Sequence, residues 1–135
     1  MTPTPDTLII GAGPVGLAAA LRLSAQGRTV TVYEAKDEPR LSDENSYPIG
    51  VNLRGQGALR TIDPALVEQV RASGEIVAGF ELHAGERTIA TLPSGTMVGT
   101  TRARLTRLLL DRAEAPAGPA RIEALSARAI AHMRR

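Results

Sequence analysis

The spacing of apolar positions changes period several times along the first third of the chain. Leu8, Ile9 and Ile10 form a short unbroken apolar run that closes on Gly11-Ala-Gly13, and Pro14 opens a stretch in which Ala20 and Leu23 recur at helical spacing. Gly27 ends that stretch, and Thr29-Val-Thr-Val-Tyr33 then alternates as a strand does before reaching Glu34. Strand, glycine turn, helix and strand in this order predict a βαβ unit.

Beyond it the pattern breaks. Residues 35–46 are polar and rich in turn formers, which reads as a loop. Tyr47 to Asn52 reads as a short strand, and Arg54 to Ile62 as a helix. Asp63-Pro64 is a start signal, with Asp as N-cap and Pro at the first helical position. Leu66, Val67 and Val70 give the next helix its apolar face. Gly79–His83, Thr88–Leu92 and Thr96–Thr100 read as three short strands joined by the turns Ala84-Gly-Glu86 and Pro93-Ser-Gly95. A helix is expected from Thr101 to Glu114, with Leu105, Leu108 and Leu109 on its apolar side. Ala117 to Ile122 reads as a lead into a further strand, while Glu123 to Arg135 is an Ala/Arg-rich helical run. No internal repeat is present.

The candidate chemistry sits in the first turn. Gly11, Gly13 and Gly16 have the GxGxxG spacing, and Glu34 follows eighteen residues after the last of them. In a dinucleotide-binding unit the first glycine allows the tight turn, the second lets the backbone approach a pyrophosphate, and the third lets the helix lie against the sheet. The free N–H groups and positive dipole end of the helix then face the phosphates. An acid at the tip of the second strand accepts both hydroxyls of an adenosine ribose and disfavours the 2′-phosphate of NADP. FAD and NAD are therefore the candidate ligands. The competing reading is an ordinary packing turn between strand and helix, and Glu34 alone would then be a solvated acid.

Composition narrows the function classes. The chain has 135 residues, 43% of them hydrophobic but only 2% aromatic, so Val, Leu, Ile and Ala must build the core. The absence of cysteine excludes disulfides, thiolate catalysis and Cys-based metal sites. The net charge is only +2, and it is unevenly spread: from Thr100 onward eight Arg face Asp111, Glu114 and Glu123. With one lysine in the chain and almost no aromatic platforms, this reads as a solvated Arg-rich face and not a nucleic-acid surface. No apolar run approaches the ~20 residues of a membrane span. The start, Met1 to Asp6, lacks signal-peptide regions, which makes a cytoplasmic location the expectation. His83 and His132 are isolated and receive no role, and no metal cluster is expected.

The later segments carry a family resemblance. GAGPVG, then Tyr33-Glu-Ala35, then Tyr47-Pro-Ile-Gly-Val-Asn-Leu-Arg-Gly-Gln-Gly-Ala-Leu59, then Thr101-Arg-Ala-Arg-Leu105 together resemble single-component flavin-dependent monooxygenases of the aromatic-hydroxylase type. The likeness is strongest to the kynurenine 3-monooxygenase branch and covers about residues 6–115. It implies an α/β fold: a Rossmann-like FAD-binding βαβ unit with a small additional sheet and helices. Residues 1–115 would be the N-terminal part of the FAD-binding domain, with the substrate-domain sheet starting at about 75–100, and 116–135 a separate tail. By resemblance Val15 lies beside the pyrophosphate, Glu34 holds the ribose, and Ala35 and Lys36 line the adenine end. Gly50 passes near the flavin, and Arg102 reaches the phosphate and ribityl region from its helix start. A guanidinium fork suits phosphate; an exposed Arg on a basic helix is the plainer alternative, and Arg54 carries the same ambiguity.

The resemblance further implies NAD(P)H as reductant, O₂ as oxygen donor and a small organic substrate, with no catalytic residue to name in this chain. Two departures qualify it. The substrate-binding Arg and Tyr of the kynurenine branch fall near Phe80 and Ser94, so kynurenine itself is not the expected substrate. The Asp-Gly and Gly-Asp dipeptides of the two further cofactor motifs occur nowhere in the chain. An incomplete FAD/NAD(P)-binding domain, from a truncated chain or gene fragment, is therefore the expectation. Its uncovered sheet edges would favour self-association. The alternative is a non-catalytic remnant or interaction module that at most binds a dinucleotide.

Overall fold

Two small sheets share one helical layer in the computed structural model, which describes residues 6–35, 46–115 and 120–124. The elements are β1 (Thr7–Ile10), α1 (Pro14–Ala25), β2 (Val30–Glu34), β3 (Pro48–Val51), α2 (Leu53–Ile62), α3 (Pro64–Ser73), β4 (Glu75–Ala84), β5 (Arg87–Thr101), α4 (Arg102–Glu114) and β6 (Ala120–Ala124). The first sheet is parallel in the order β1-β2-β6; the second is antiparallel in the order β3-β5-β4. An α/β fold with an additional small sheet is therefore what the chain forms.

The βαβ unit forms as the periodicity predicts. Leu17, Ala20 and Leu21 of α1 are buried against Val30 and Val32 of β2, with Ile9 and Leu23 packed around them. Parallel strands need this kind of helical crossover, since a tight hairpin cannot join them. On β1 the alternation leaves Leu8 and Ile10 more than half exposed, on the side turned away from α1.

Helix starts follow local capping chemistry. Asn52 Oδ1 accepts the Gly55 N–H at 2.9 Å, Asp63 Oδ1 accepts that of Ala65 at 2.9 Å, and Thr101 Oγ1 accepts that of Arg104 at 3.2 Å. Asp63 also takes the Nε–H of Arg112 at 2.9 Å, which ties the start of α3 to the end of α4. That hydrogen bond, and then the Ala65 N–H, holds the Asp63 carboxyl below its ordinary value of 3.8. A carboxyl lowered by folding contributes stability that is full above its unfolded pKa and fades as the pH falls through its folded one. Asp63→Ala is therefore expected to cost about 1 kcal/mol or more at neutral pH, the loss of one helix cap. Denaturant titrations should show the gap to the unaltered chain closing once the pH falls below about 4.

Gln56 is the polar hub of the interior. Its amide nitrogen donates to the carbonyls of Val51 (3.0 Å) and Thr96 (2.7 Å), and its Oε1 accepts from Arg71 Nε (3.2 Å) and Nη2 (3.0 Å). One buried side chain thus joins α2, β3, β5 and α3. A buried amide is tolerated because both of its ends are satisfied.

Three expectations need correction. Pro93-Ser-Gly95 is not a turn between strands: β5 runs unbroken from Arg87 to Thr101, and the extra residues form a bulge where the register jumps from Val77↔Met97 to Gly79↔Pro93. Gly95 takes φ +68° there, and Ser94 Oγ donates to the Val77 carbonyl, so turn-forming residues serve the bulge. On α4 the buried positions are Ala103, Thr106, Leu109, Leu110 and Ala113, while Leu105 and Leu108 only flank them. Finally, Glu123 and Ala124 belong to β6, which continues the parallel sheet beside β2, so the expected helical run cannot begin at Glu123. The remainder of that run lies outside the described residues.

Candidate functional site: the glycine turn and its surroundings

The C-terminal ends of β1 and β2 lie side by side, Ile10 in register with Tyr33, and the turn out of β1 stands directly above them. Gly11 holds φ +100°, a conformation that side-chain-bearing residues rarely adopt, and its N–H donates to the Tyr33 carbonyl at 2.7 Å. Gly16 is packed from the other side. A Cβ there would collide with the Gly11 carbonyl and touch Ile9, so the absence of a side chain is what lets the first turn of α1 sit on the strand it follows.

The donors of this turn divide into used and unused ones. The Ala12 N–H is taken by Glu34 Oε2 at 2.7 Å, a charge-assisted bond that brings the acid back from the tip of β2 onto the turn. Gly13 is the N-cap of α1 without a side-chain cap, and Pro14 has no N–H to satisfy. The N–H groups of Val15 and Gly16 have no acceptor among the described residues and lie at the positive end of the helix dipole. Val15 itself is 83% exposed.

Arg102 completes the arrangement from across the molecule. Pro48 pairs with Thr101, and the Tyr47 carbonyl accepts the Arg102 N–H at 3.1 Å, so the start of α4 is fixed beside the start of β3. The Arg102 side chain reaches to the turn: one terminal nitrogen lies 3.3 Å from the place a Cβ would occupy on Gly13. No carboxylate pairs with this guanidinium among the described residues, whereas Arg104 donates to the Ser73 carbonyl and Arg112 to Asp63. Gly11, Gly13, Val15, Gly16 and Arg102 line one cavity of about 590 Å³, together with Tyr47 and Ile49. That volume is in the range of small-molecule sites.

Not every expected position joins them. Ala35 is exposed just past β2, and Lys36 lies outside the described residues. Gly50 does not line the cavity, and the space its side chain would need is filled by Met97. Arg54 is exposed near the start of α2, away from the cavity lining. Phe80 and Ser94 stand on β4 and β5. Two contributors went unpicked from sequence: the Ala12 N–H, a backbone group with no residue signature, and Tyr47, whose ring lies 5.9 Å beneath the Arg102 guanidinium.

A cradle of backbone donors at a helix start, a guanidinium with no carboxylate partner among the described residues and an acid at the next strand tip suit one ligand chemistry: a diphosphate joined to a ribose. Fold and site define the class as a dinucleotide-binding α/β unit. The chain belongs to the FAD dependent oxidoreductase family, which residues 6–135 match, and its cofactor is accordingly FAD. It is 37% identical over 81 residues to a kynurenine 3-monooxygenase of Cryptococcus neoformans, covering 56% of this chain and 16% of that protein. It is 38% identical over 99 residues to a monomeric sarcosine oxidase of Streptomyces avermitilis, covering 73% and 24%. In fold it is similar to the p-nitrophenol 4-monooxygenase of Pseudomonas putida, with a TM-score of 0.74 at 19% identity over 92% of this chain and 32% of that one. The chain thus spans roughly a sixth to a third of the proteins it matches. Among the described residues no helix is long and apolar enough to cross a membrane, and no group of acids and histidines is placed to hold a metal.

Proposed function

We propose that this chain is the FAD-binding N-terminal portion of a flavin-dependent monooxygenase that uses NAD(P)H and O₂ to hydroxylate a small organic substrate. The observation that carries the reading is the meeting of the glycine turn and Arg102 in one cavity, with Glu34 outside its lining but bonded to the same turn through the Ala12 N–H. Gly13, Val15 and Gly16 would present their N–H groups to the diphosphate, with Arg102 supplying the positive charge. Glu34 would accept the adenosine ribose hydroxyls, and Ala35 and Lys36 would adjoin the adenine. Gly50, on β3, would approach the flavin end.

When bound, FAD supplies the redox chemistry; the chain's own residues bind it, orient it and keep water from it. The monooxygenase assignment, as against other flavin oxidations, is supported by the kynurenine 3-monooxygenase relatives and the motifs at Arg54–Leu59 and Arg102–Leu105. The substrate is not read from those relatives, since Phe80 and Ser94 offer no cation to a carboxylate. A cytoplasmic location belongs to the same reading. So does self-association through exposed Leu8 and Ile10 on β1, which sedimentation would register as a concentration-dependent mass.

The test is an absorbance titration of the purified chain with FAD, with NADP as the contrasting ligand. A saturating shift in the flavin bands, with no comparable NADP binding, is expected. A folded chain that leaves the flavin spectrum unchanged overturns the proposal.

A further inference from the structure

Arg102 is long and flexible, and among the described residues no carboxylate holds it over the glycine turn. A free arginine side chain loses substantial rotamer freedom when it is fixed, so a restraint on this guanidinium from the described residues has to come from something other than an ion pair. The structure provides one in Tyr47. Its ring lies 5.9 Å from the guanidinium carbon, within the range in which a ring face attracts a cation. Its backbone is not free to drift: the Tyr47 carbonyl takes the Arg102 N–H, and Ser46 Oγ takes the Ala103 N–H at 2.9 Å. These bonds satisfy the first N–H groups of α4. What α4 offers the cavity is therefore the Arg102 side chain, held between an aromatic ring and Gly13.

We propose that Tyr47 is a positioning residue for Arg102, its ring pressing the guanidinium against the glycine turn so that the diphosphate clamp is formed before the nucleotide arrives. This rests on the reading of the cavity as the nucleotide site. Preorganisation removes an ordering cost that binding would otherwise bear. The ring face does this work, so the hydroxyl is dispensable. Tyr47 is 58% exposed, and its truncation leaves the core intact.

The experiment compares Tyr47→Leu, Tyr47→Phe, Arg102→Ala and the double variant Tyr47→Leu/Arg102→Ala. ADP and adenosine are titrated calorimetrically, and the Arg102 Nε–H resonance is followed without nucleotide. Tyr47→Leu is expected to weaken ADP roughly three- to tenfold, the scale of a half-exposed cation–π contact. Adenosine, which has no phosphate, should be unaffected. Tyr47→Phe should match the unaltered chain, and Tyr47→Leu should add nothing once Arg102 is gone. The Arg102 Nε–H resonance should shift in Tyr47→Leu and hold its place in Tyr47→Phe, because the ring current has been removed only in the first. Equal weakening of ADP and adenosine would mean that Tyr47 stacks on the nucleoside itself and would overturn the positioning role. So would an Arg102 resonance indifferent to Tyr47→Leu. Absence of ADP binding by the unaltered chain would instead overturn the nucleotide-site reading on which the role depends, while the resonance still reports the Tyr47–Arg102 contact.

Discussion

Gly16→Ala is expected to abolish FAD binding and to lower stability by about 1–3 kcal/mol, the usual scale of overpacking. The added methyl meets the backbone carbonyl of Gly11, and backbone cannot rotate aside as the end of a long side chain can. Relief requires α1 to lift from β1. That movement displaces the N–H groups of Val15 and Gly16 and disturbs the Gly11 turn, which already occupies φ +100°. Thermal unfolding and FAD titration of the same variant separate the two consequences. Gly57→Ala, inside α2 where an added Cβ meets nothing within 4 Å, is the control: FAD binding should be unchanged and stability should rise by about 0.5–1 kcal/mol, the usual helix preference for Ala over Gly.

Glu34→Arg is expected to reduce FAD affinity by at least about a hundredfold. The carboxylate makes a 2.7 Å bond to the Ala12 N–H, and in the proposed complex it also accepts from the ribose. Hydrogen bonds to a charged group contribute about 1.5–3 kcal/mol each, and each 1.4 kcal/mol is a factor of ten in binding. Arginine accepts none of them and leaves the Ala12 N–H without its acceptor. It also places a cation where a 2′-phosphate would sit, so the ratio of NADP to FAD affinity should rise. Competition between the two ligands against the unaltered chain measures that ratio directly.

How much of this was legible in the sequence depended on the range of the interaction. Local signals held well. The βαβ unit was readable because each glycine answers to a neighbour within the motif, and Asp63 announced α3 because a cap needs only the next few residues. Signals with two local solutions misled: Pro93-Ser-Gly95 suits a turn or a bulge equally, and only pairing with β4 selects the bulge. β6 was legible only in part: Ala117 to Ile122 reads as a lead into a strand, but Glu123 and Ala124 read as helix, and only pairing with the edge of β2 carries the strand through them. In the site, the ends of the βαβ unit could be foreseen from spacing. The pairing of Tyr47 with Arg102 could not, because it depends on the register Pro48↔Thr101 across two elements distant in sequence.

The most direct measurement is to follow the backbone amides of the labelled chain during titration with ADP. The account predicts shifts concentrated at Gly13, Val15, Gly16 and Glu34, with the Arg102 side chain moving in step, and β4 and β5 left undisturbed. Shifts spread over the β4–β5 hairpin while the glycine turn stays silent would contradict it.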